Sequence, residues 1–377
     1  MTEDGGEGEE KYGIAEITEL QETDAPELPY EPRDPEAYDP PIALIGTGGI
    51  AEQHLTAYRD AGYDVVALCN RTRESSEAYR DEFYPAADVT TDYRKVLERD
   101  DVEVVDLLTH PTQREPIIED ALEAEKHVLS QKPFVVDLDF GERMVELAEV
   151  RGVKLAVNQN GRWAPHWSYV RHAIREGLIG NPHGVHFTVD WNHNWIADTE
   201  INDVEHAILY DFAVHWFDIL TCFMGEREPK RVFASYEESP SQRADPPFLA
   251  QAVVEYDGAQ ASLSFDADTK LGPEDRTYVA GTEGTITSEG PDLEEQTVTL
   301  YTEAGYATPE LEGTWFPDGF HGAMAELLSA IEEGREPYNG ARDNLRSLEL
   351  CYAAVASAED HEAKVPGEVR RMRGEVD

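Results

Sequence analysis

From residue 42 the apolar positions come in short continuous runs set between longer amphipathic stretches. "IALI" (42–45), "DVVALCN" (64–70), "VEVVDLLT" (102–109), "HVLSQ" (127–131) and "VKLAVNQN" (153–160) read as strands. They are short and rich in β-branched residues. Between them the apolar period lengthens: one helix follows residue 50, one ends near "EAEKH", and one covers 140–152. Short apolar strands alternating with helices predict a parallel sheet with helices on both faces.

After about residue 161 the pattern changes. A helix over 166–180 is expected to close on Gly180 as its cap. "GVHFTVDWNHNW" opens the alternation of a half-solvated strand. "DFAVHWFDIL" (211–220) reads as a helix, and "KRVFASYEE", "FLAQAVVEYD", "AQASLSFDAD", "RTYVAGTEGTITSEG" and "QTVTLYTEA" as successive strands. Short turns between alternating strands predict an antiparallel sheet. Two helices, 320–334 and 341–360, close the chain, and no internal repeat is visible.

Composition narrows the possible partners. The chain has 377 residues, with 78 acidic against 31 basic side chains and a net charge of -47. Phosphate backbones and anionic membranes need clustered positive charge, so nucleic acid and membrane are excluded as partners. An apolar fraction of 40% argues against a disordered acidic chain. A soluble protein of a high-salt cytoplasm, where salt screens the self-repulsion, is the expectation. Residues 1–39 carry 14 Asp or Glu against Lys11 and Arg33 and read as an extension, disordered or laid over the fold. Cys69, Cys222 and Cys351 are far apart and suggest no disulfide framework, in keeping with a reducing cytoplasm. Neither a signal peptide nor a membrane-spanning run is visible.

"GTGGIA" follows the first strand and opens a helix. Gly46, Gly48 and Ala51 form G-x-G-x-x-A, in which the glycines allow a tight turn and a close backbone approach to a pyrophosphate at the helix N-terminus. Where an acidic residue would bind ribose hydroxyls, the sequence has Asn70 followed by Arg71. Asn70 does not repel a 2′-phosphate and Arg71 can pair with one, which leans toward NADP over NAD. In "DFAVHWFDIL" the residues Asp211, His215 and Asp218 fall at i, i+4 and i+7, one helical face.

With these motifs the chain from about 40 to 365 resembles the Gfo/Idh/MocA family of sugar and polyol oxidoreductases. The resemblance rests on "GTGGIA", "THPTQREPIIEDALEAEKHVLSQKPF", "NQNGRW" and "DFAVHWFD". It implies an α/β protein: residues 40–161 as a Rossmann dinucleotide-binding domain, and residues 162–377 as a C-terminal α/β domain with a large, mostly antiparallel open sheet that binds substrate and builds a dimer or tetramer. It implies that Lys132, Asp211 and His215 are catalytic. The expected cofactor contacts are Gly46, Thr47, Gly48, Gly49, Ile50 and Ala51, then Asn70 and Arg71, Thr109, His110 and Pro111, Gln131, Lys132 and Pro133, and Asn160. Two departures stand out. Gln131 occupies the position of a family Glu, and "QRE" (113–115) replaces a loop His.

A histidine suits proton removal from a secondary alcohol and its return to a ketone, which makes His215 the general base and acid. Asp211 polarises the hydroxyl or orients the ring, and its charge is expected to raise the His215 pKa against burial. Lys132 stabilises charge on the substrate oxygen. Asp218 reads as structural. Arg162, Trp163, Trp191 and Trp195 join Lys132, Asp211 and His215 as expected substrate contacts, while Trp167 and Trp216 read as core. His183, His186, His193, His206 and His215 lack metal-ligand spacing, and no metal is expected. The leading reading is an NAD(P)-dependent sugar or polyol oxidoreductase. Net non-redox sugar chemistry with retained NAD, or a non-catalytic binding protein, are the alternatives.

Overall fold

The structure, a computed structural model, describes residues 19–374. Six parallel strands, β1 (Ile42–Ile45), β2 (Val65–Cys69), β3 (Asp88–Thr90), β4 (Val104–Leu107), β5 (His127–Gln131) and β6 (Leu155–Asn158), lie in the order β3-β2-β1-β4-β5-β6. Strands β1 and β4 are buried at every position, which is why their sequence is continuously apolar and not alternating. The strand order reverses between β1 and β4, so the chain leaves their C-terminal ends in opposite directions and opens a crevice there.

Five helices connect these strands: α1 (Ala51–Ala61), α2 (Arg73–Phe83), α3 (Tyr93–Leu97), α4 (Pro111–Glu123) and α5 (Leu138–Arg151). The apolar pattern had not shown β3, α2 or α3. Strand β3 is three residues long and only partly buried, and α2 is largely polar.

A short 3₁₀ turn, Asn160–Trp163, leads into α6 (Pro165–Arg175). The expected helix to Gly180 stops five residues early. Gly177 takes φ +74, a left-handed conformation that L side chains rarely adopt, and the chain turns there. Next come β7 (Pro182–Asp190), a π-helical turn at Ile208–Phe212, and α7 (Val214–Met224). Seven further strands follow: β8 (Pro229–Glu237), β9 (Leu249–Tyr256), β10 (Ala259–Asp266), β11 (Glu274–Gly281), β12 (Gly284–Gly290), β13 (Thr297–Thr302) and β14 (Gly305–Ala307). "RTYVAGTEGTITSEG", read as one strand, is the hairpin β11–β12. The eight-stranded sheet runs β14-β13-β12-β11-β7-β10-β9-β8 and is antiparallel except where β7 meets β10.

Helices α6, α7 and the last helix, α9 (Ala341–Asp360), pack on one face of this sheet. The preceding helix, α8 (Asp318–Glu333), crosses back to the parallel sheet. Its Phe320, Met324 and Leu327 share a core with Leu44, Leu55 and Leu129. The C-terminal half therefore covers one face of the N-terminal sheet.

Residues 19–39 lie across the fold, and the earlier part of the expected extension falls outside the described residues. Asp34 accepts from Tyr63 and from His321, the latter at 2.8 Å, and Glu332 accepts the backbone N–H groups of Glu36, Ala37 and Tyr38. Large side chains fully buried stabilise by about 1.5–3 kcal/mol each, and exposed ion pairs by about 0–1 kcal/mol. Packing of α8, more than this strap, ties the two halves together. No helix among the described residues is long and apolar enough to cross a membrane.

Candidate active site

The glycine turn joins β1 to α1 at the crevice. Gly46 has φ +107, and a Cβ there would stand 3.0 Å from the backbone of Leu108 and Thr109, so only glycine fits. Around Gly48 and Gly49 there is open space, so a ligand can approach their backbone. The adjoining cleft, of about 700 Å³, is lined by Gly46, Gly48, Asn70, Arg71, Thr109 and His110 among others. Thr109 Oγ1 is buried with no hydrogen-bond partner. An empty-walled turn at a helix start, an unpartnered hydroxyl and an exposed Arg71 fit a dinucleotide.

Other expected cofactor residues are placed differently. Thr47 is buried and its hydroxyl meets Ser75 and Ser76, fastening the turn to α2. Ala51 is buried under α1. Asn70 donates to Thr72 at 3.3 Å. Pro111 starts α4, and Gln131, Lys132, Pro133 and Asn160 are not among the residues that line this cleft. The cleft also draws in Tyr93, Gln113 and, from the other half of the chain, Glu200.

Lys132 follows β5 and reaches the π-helical turn. Its ammonium donates to the Asp211 carbonyl at 2.9 Å and to Asp211 Oδ2 at 3.2 Å. His215, the second residue of α7, is 6% exposed, and its Nδ1 has no partner among the described residues. Burial first, then the charge of Lys132, holds this imidazole well below its ordinary pKa of 6.5. This corrects the expected Asp211–His215 pairing. The π-helical turn at Ile208–Phe212 breaks the regular i, i+4 geometry, and Asp211 serves Lys132 instead. Asp218, expected as structural, receives Arg162 through two bonds of 2.7 Å.

Arg162 and Trp163, expected as substrate contacts, are both buried. The Arg162 guanidinium is sealed among Asp218, Asp343 and the Tyr338 carbonyl. Its charge, desolvated, needs those anions. The Trp163 ring packs against Gly322 and beneath Arg171. Trp191 is half-buried, stacks on His193 with centroids 5.3 Å apart, and leaves its Nε1 unpartnered. Trp195 is 52% exposed. Trp167 and Trp216 are core, as expected.

Sequence reasoning missed Trp315, whose ring meets the His215 ring edge-on at 5.0 Å and whose Nε1 is buried and unpartnered. It lies in "TWFPDGF", a loop without periodicity, so its type was its only signal. It also missed Arg114, fully buried on α4, which donates to the Thr109 carbonyl at 2.7 Å and to the Pro133 carbonyl. Arg114 thus braces both the cleft wall and the Lys132 segment.

His183, His186, His193 and His215 gather no ligand set. The one group among the described residues dense enough to hold an ion is Glu205, His206 and Glu359. There Glu359 already accepts from His206 at 2.9 Å and from Arg373 at 2.7 Å, an ordinary ion-pair network.

Residues 41–159 match the model of an oxidoreductase family with an NAD-binding Rossmann fold, and residues 167–287 match the GFO/IDH/MocA C-terminal domain. The chain is 26% identical over 350 residues to D-apiose dehydrogenase of Paraburkholderia graminis, covering 84% of this chain and 87% of that one. It is 25% identical over 329 residues to inositol 2-dehydrogenase of Rhizobium meliloti, covering 84% and 96%. In fold it is similar to an Agrobacterium radiobacter oxidoreductase solved with NAD+, L-tartaric acid and magnesium, with a TM-score of 0.78 at 22% identity over 87% of this chain and 99% of that one.

Proposed function

The chain belongs to the Gfo/Idh/MocA oxidoreductase family, and from that premise we propose that it moves a hydride between a nicotinamide dinucleotide and a hydroxyl or keto carbon of a sugar or polyol. The observation that carries this reading is the Lys132 ammonium, held on Asp211, beside an imidazole kept neutral. When bound, the dinucleotide supplies the hydride acceptor or donor. The rest falls to this chain. Gly46 and Gly48 seat the diphosphate, Lys132 meets the substrate oxygen, and His215 takes the hydroxyl proton in oxidation and returns it in reduction. Trp191 and Trp195 offer flat apolar faces to a sugar ring, and Trp315 packs edge-on against the His215 ring. Purified protein mixed with dinucleotide and a panel including myo-inositol and apiose should build up reduced nicotinamide absorbance. Dinucleotide binding with no absorbance change on any sugar or polyol would overturn the reading.

The finer reading is acceptance of NADP in preference to NAD. Arg71 is exposed in the cleft wall and forms no ion pair among the described residues, while the Asn70 amide is turned to Thr72. A charge-assisted bond contributes about 1.5–3 kcal/mol. Arg71→Ala should therefore weaken NADP about tenfold or more and leave NAD nearly unchanged. Equal losses for both would make Arg71 a plain surface charge.

We also read the protein as built for molar salt in a cytoplasm. At a net charge of -47 its self-repulsion is long-ranged in dilute buffer. The screening length falls from about 10 Å at 0.1 M to about 3 Å at 1 M, so the melting temperature should climb between low and molar KCl. A flat response would remove this reading. The face of the large sheet away from α6, α7 and α9 carries Phe233, 43% exposed, and Tyr301. We place a homo-oligomer contact there, and sedimentation as a monomer at molar salt would contradict it.

A further inference from the structure

Beneath the glycine turn lies a buried polar chain that none of the expected roles explains. His54, on the inward side of α1, is fully buried together with Tyr58 and Asp106. His54 Nδ1 is 2.7 Å from Asp106 Oδ2, to which Tyr58 also donates at 2.6 Å. On the other side, His54 Nε2 faces the side-chain nitrogens of Gln131 at 3.0 Å and Asn158 at 3.2 Å. Gln131 continues the chain, since its Oε1 accepts the backbone N–H of Lys132 at 2.7 Å.

The donors settle the protonation. A backbone N–H can only donate, so the Gln131 atom facing Lys132 is the carbonyl oxygen. The Gln131 amide nitrogen then faces His54, and it too can only donate. Nε2 must accept, so the ring proton sits on Nδ1 and is donated to Asp106. The ring is held in one tautomer by its neighbours. The titratable groups facing it are Asp106 from β4 and Tyr58 from its own helix. Arg114 of α4 bears on Asp106, and Phe320 of α8 closes the remaining side. A carboxylate at position 131 would reverse the logic. Both of its oxygens accept, so Nε2 would need a proton and the ring would become imidazolium.

We propose that His54, seated on Asp106 and Tyr58, is a positioning residue that sets the main chain of Lys132 through the Gln131 amide, and that Gln131 fixes the His54 tautomer this setting needs. The proposal rests on the role given to Lys132 above. Misplacing a reacting group by about 1 Å can cost about 10²-fold in rate, so a link one residue from Lys132 should act on kcat.

The test uses histidine-selective ¹⁵N spectra of the full chain from about pH 5 to pH 8, with His54→Gln identifying the resonance among the 12 histidines. Wild-type His54 should show the Nδ1–H form. In Gln131→Glu the ring should be doubly protonated at the acid end. Two carboxylates then flank the ring and hold its second proton, so the aligned form is lost as that proton leaves with rising pH. That variant's kcat should gain a falling alkaline limb absent from wild type. A wild-type His54 protonated on Nε2 overturns the relay. So does a ring that titrates in Gln131→Glu while the kcat profile stays that of wild type. The spectra need no substrate. If no sugar or polyol turns over, the functional reading falls, and the relay is still decided by the wild-type tautomer.

Discussion

Lys132→Met should lower turnover about 10²–10³-fold and leave dinucleotide affinity unchanged. Two of the ammonium's three donors are spent on Asp211, which leaves the third for a substrate oxygen. As the hydroxyl proton and the carbinol hydride leave, negative charge passes through that oxygen. A cation fixed beside it stabilises the transition state more than the bound alcohol, so the effect falls on kcat. Met keeps the length and the apolar stem and removes only the charge. It also orphans Asp211, whose side chain is 24% exposed. The double variant Lys132→Met, Asp211→Asn separates the two effects. If the stranded carboxylate causes the loss, the double variant recovers. We expect it to stay inactive, as judged by steady-state turnover beside a fluorescence titration with reduced dinucleotide. Near-normal turnover in the single variant would remove Lys132 from the chemistry.

The parallel sheet was legible because β1, β4 and β5 are buried on both faces and their sequence carries little else. The large sheet was legible for the opposite reason: one face meets α6, α7 and α9, so β9 and β10 alternate. Hidden were elements whose existence depends on distant partners. Strand β3 forms because β2 offers an edge, and β14 because β13 does. The site divides along the same line. Gly46 and Gly48 carry their function in their backbone and in the turn they make, and this shows in the sequence. Arg162 and Trp163 sit in a motif beside the site, but the 3₁₀ turn aims them into the ion-pair cluster and the core. Their direction depends on Asp218, Asp343 and Gly322, all far away in the chain. Trp315 is the converse case: it is remote in sequence from every motif, and α8 carries its loop to His215.

The π-helical turn at Ile208–Phe212 changes what His215 should do with pH. From sequence, Asp211 one turn earlier was to favour imidazolium. In the structure Asp211 is bound to Lys132, and what acts on His215 is burial, then the Lys132 charge. Both push the same way, so the ring is neutral at neutral pH. Oxidation needs that neutral ring, so turnover over substrate half-saturation should be flat through neutrality. It should fall only as pH drops through a pKa well below 6.5. Reduction needs the proton and should rise as pH falls over the same window. His215→Ala should lose about 10²–10⁴-fold in oxidation, together with the acidic limb. Asp211→Asn leaves the Lys132 charge uncompensated and should move the limb further down. Lys132→Met removes one downward push, so its residual activity should show the limb at higher pH. Asp211→Asn moves the limb down under either reading, so the upward shift in Lys132→Met is what distinguishes a base governed by Lys132 from one governed by Asp211. An acidic limb that survives unchanged in His215→Ala would assign the proton to another group.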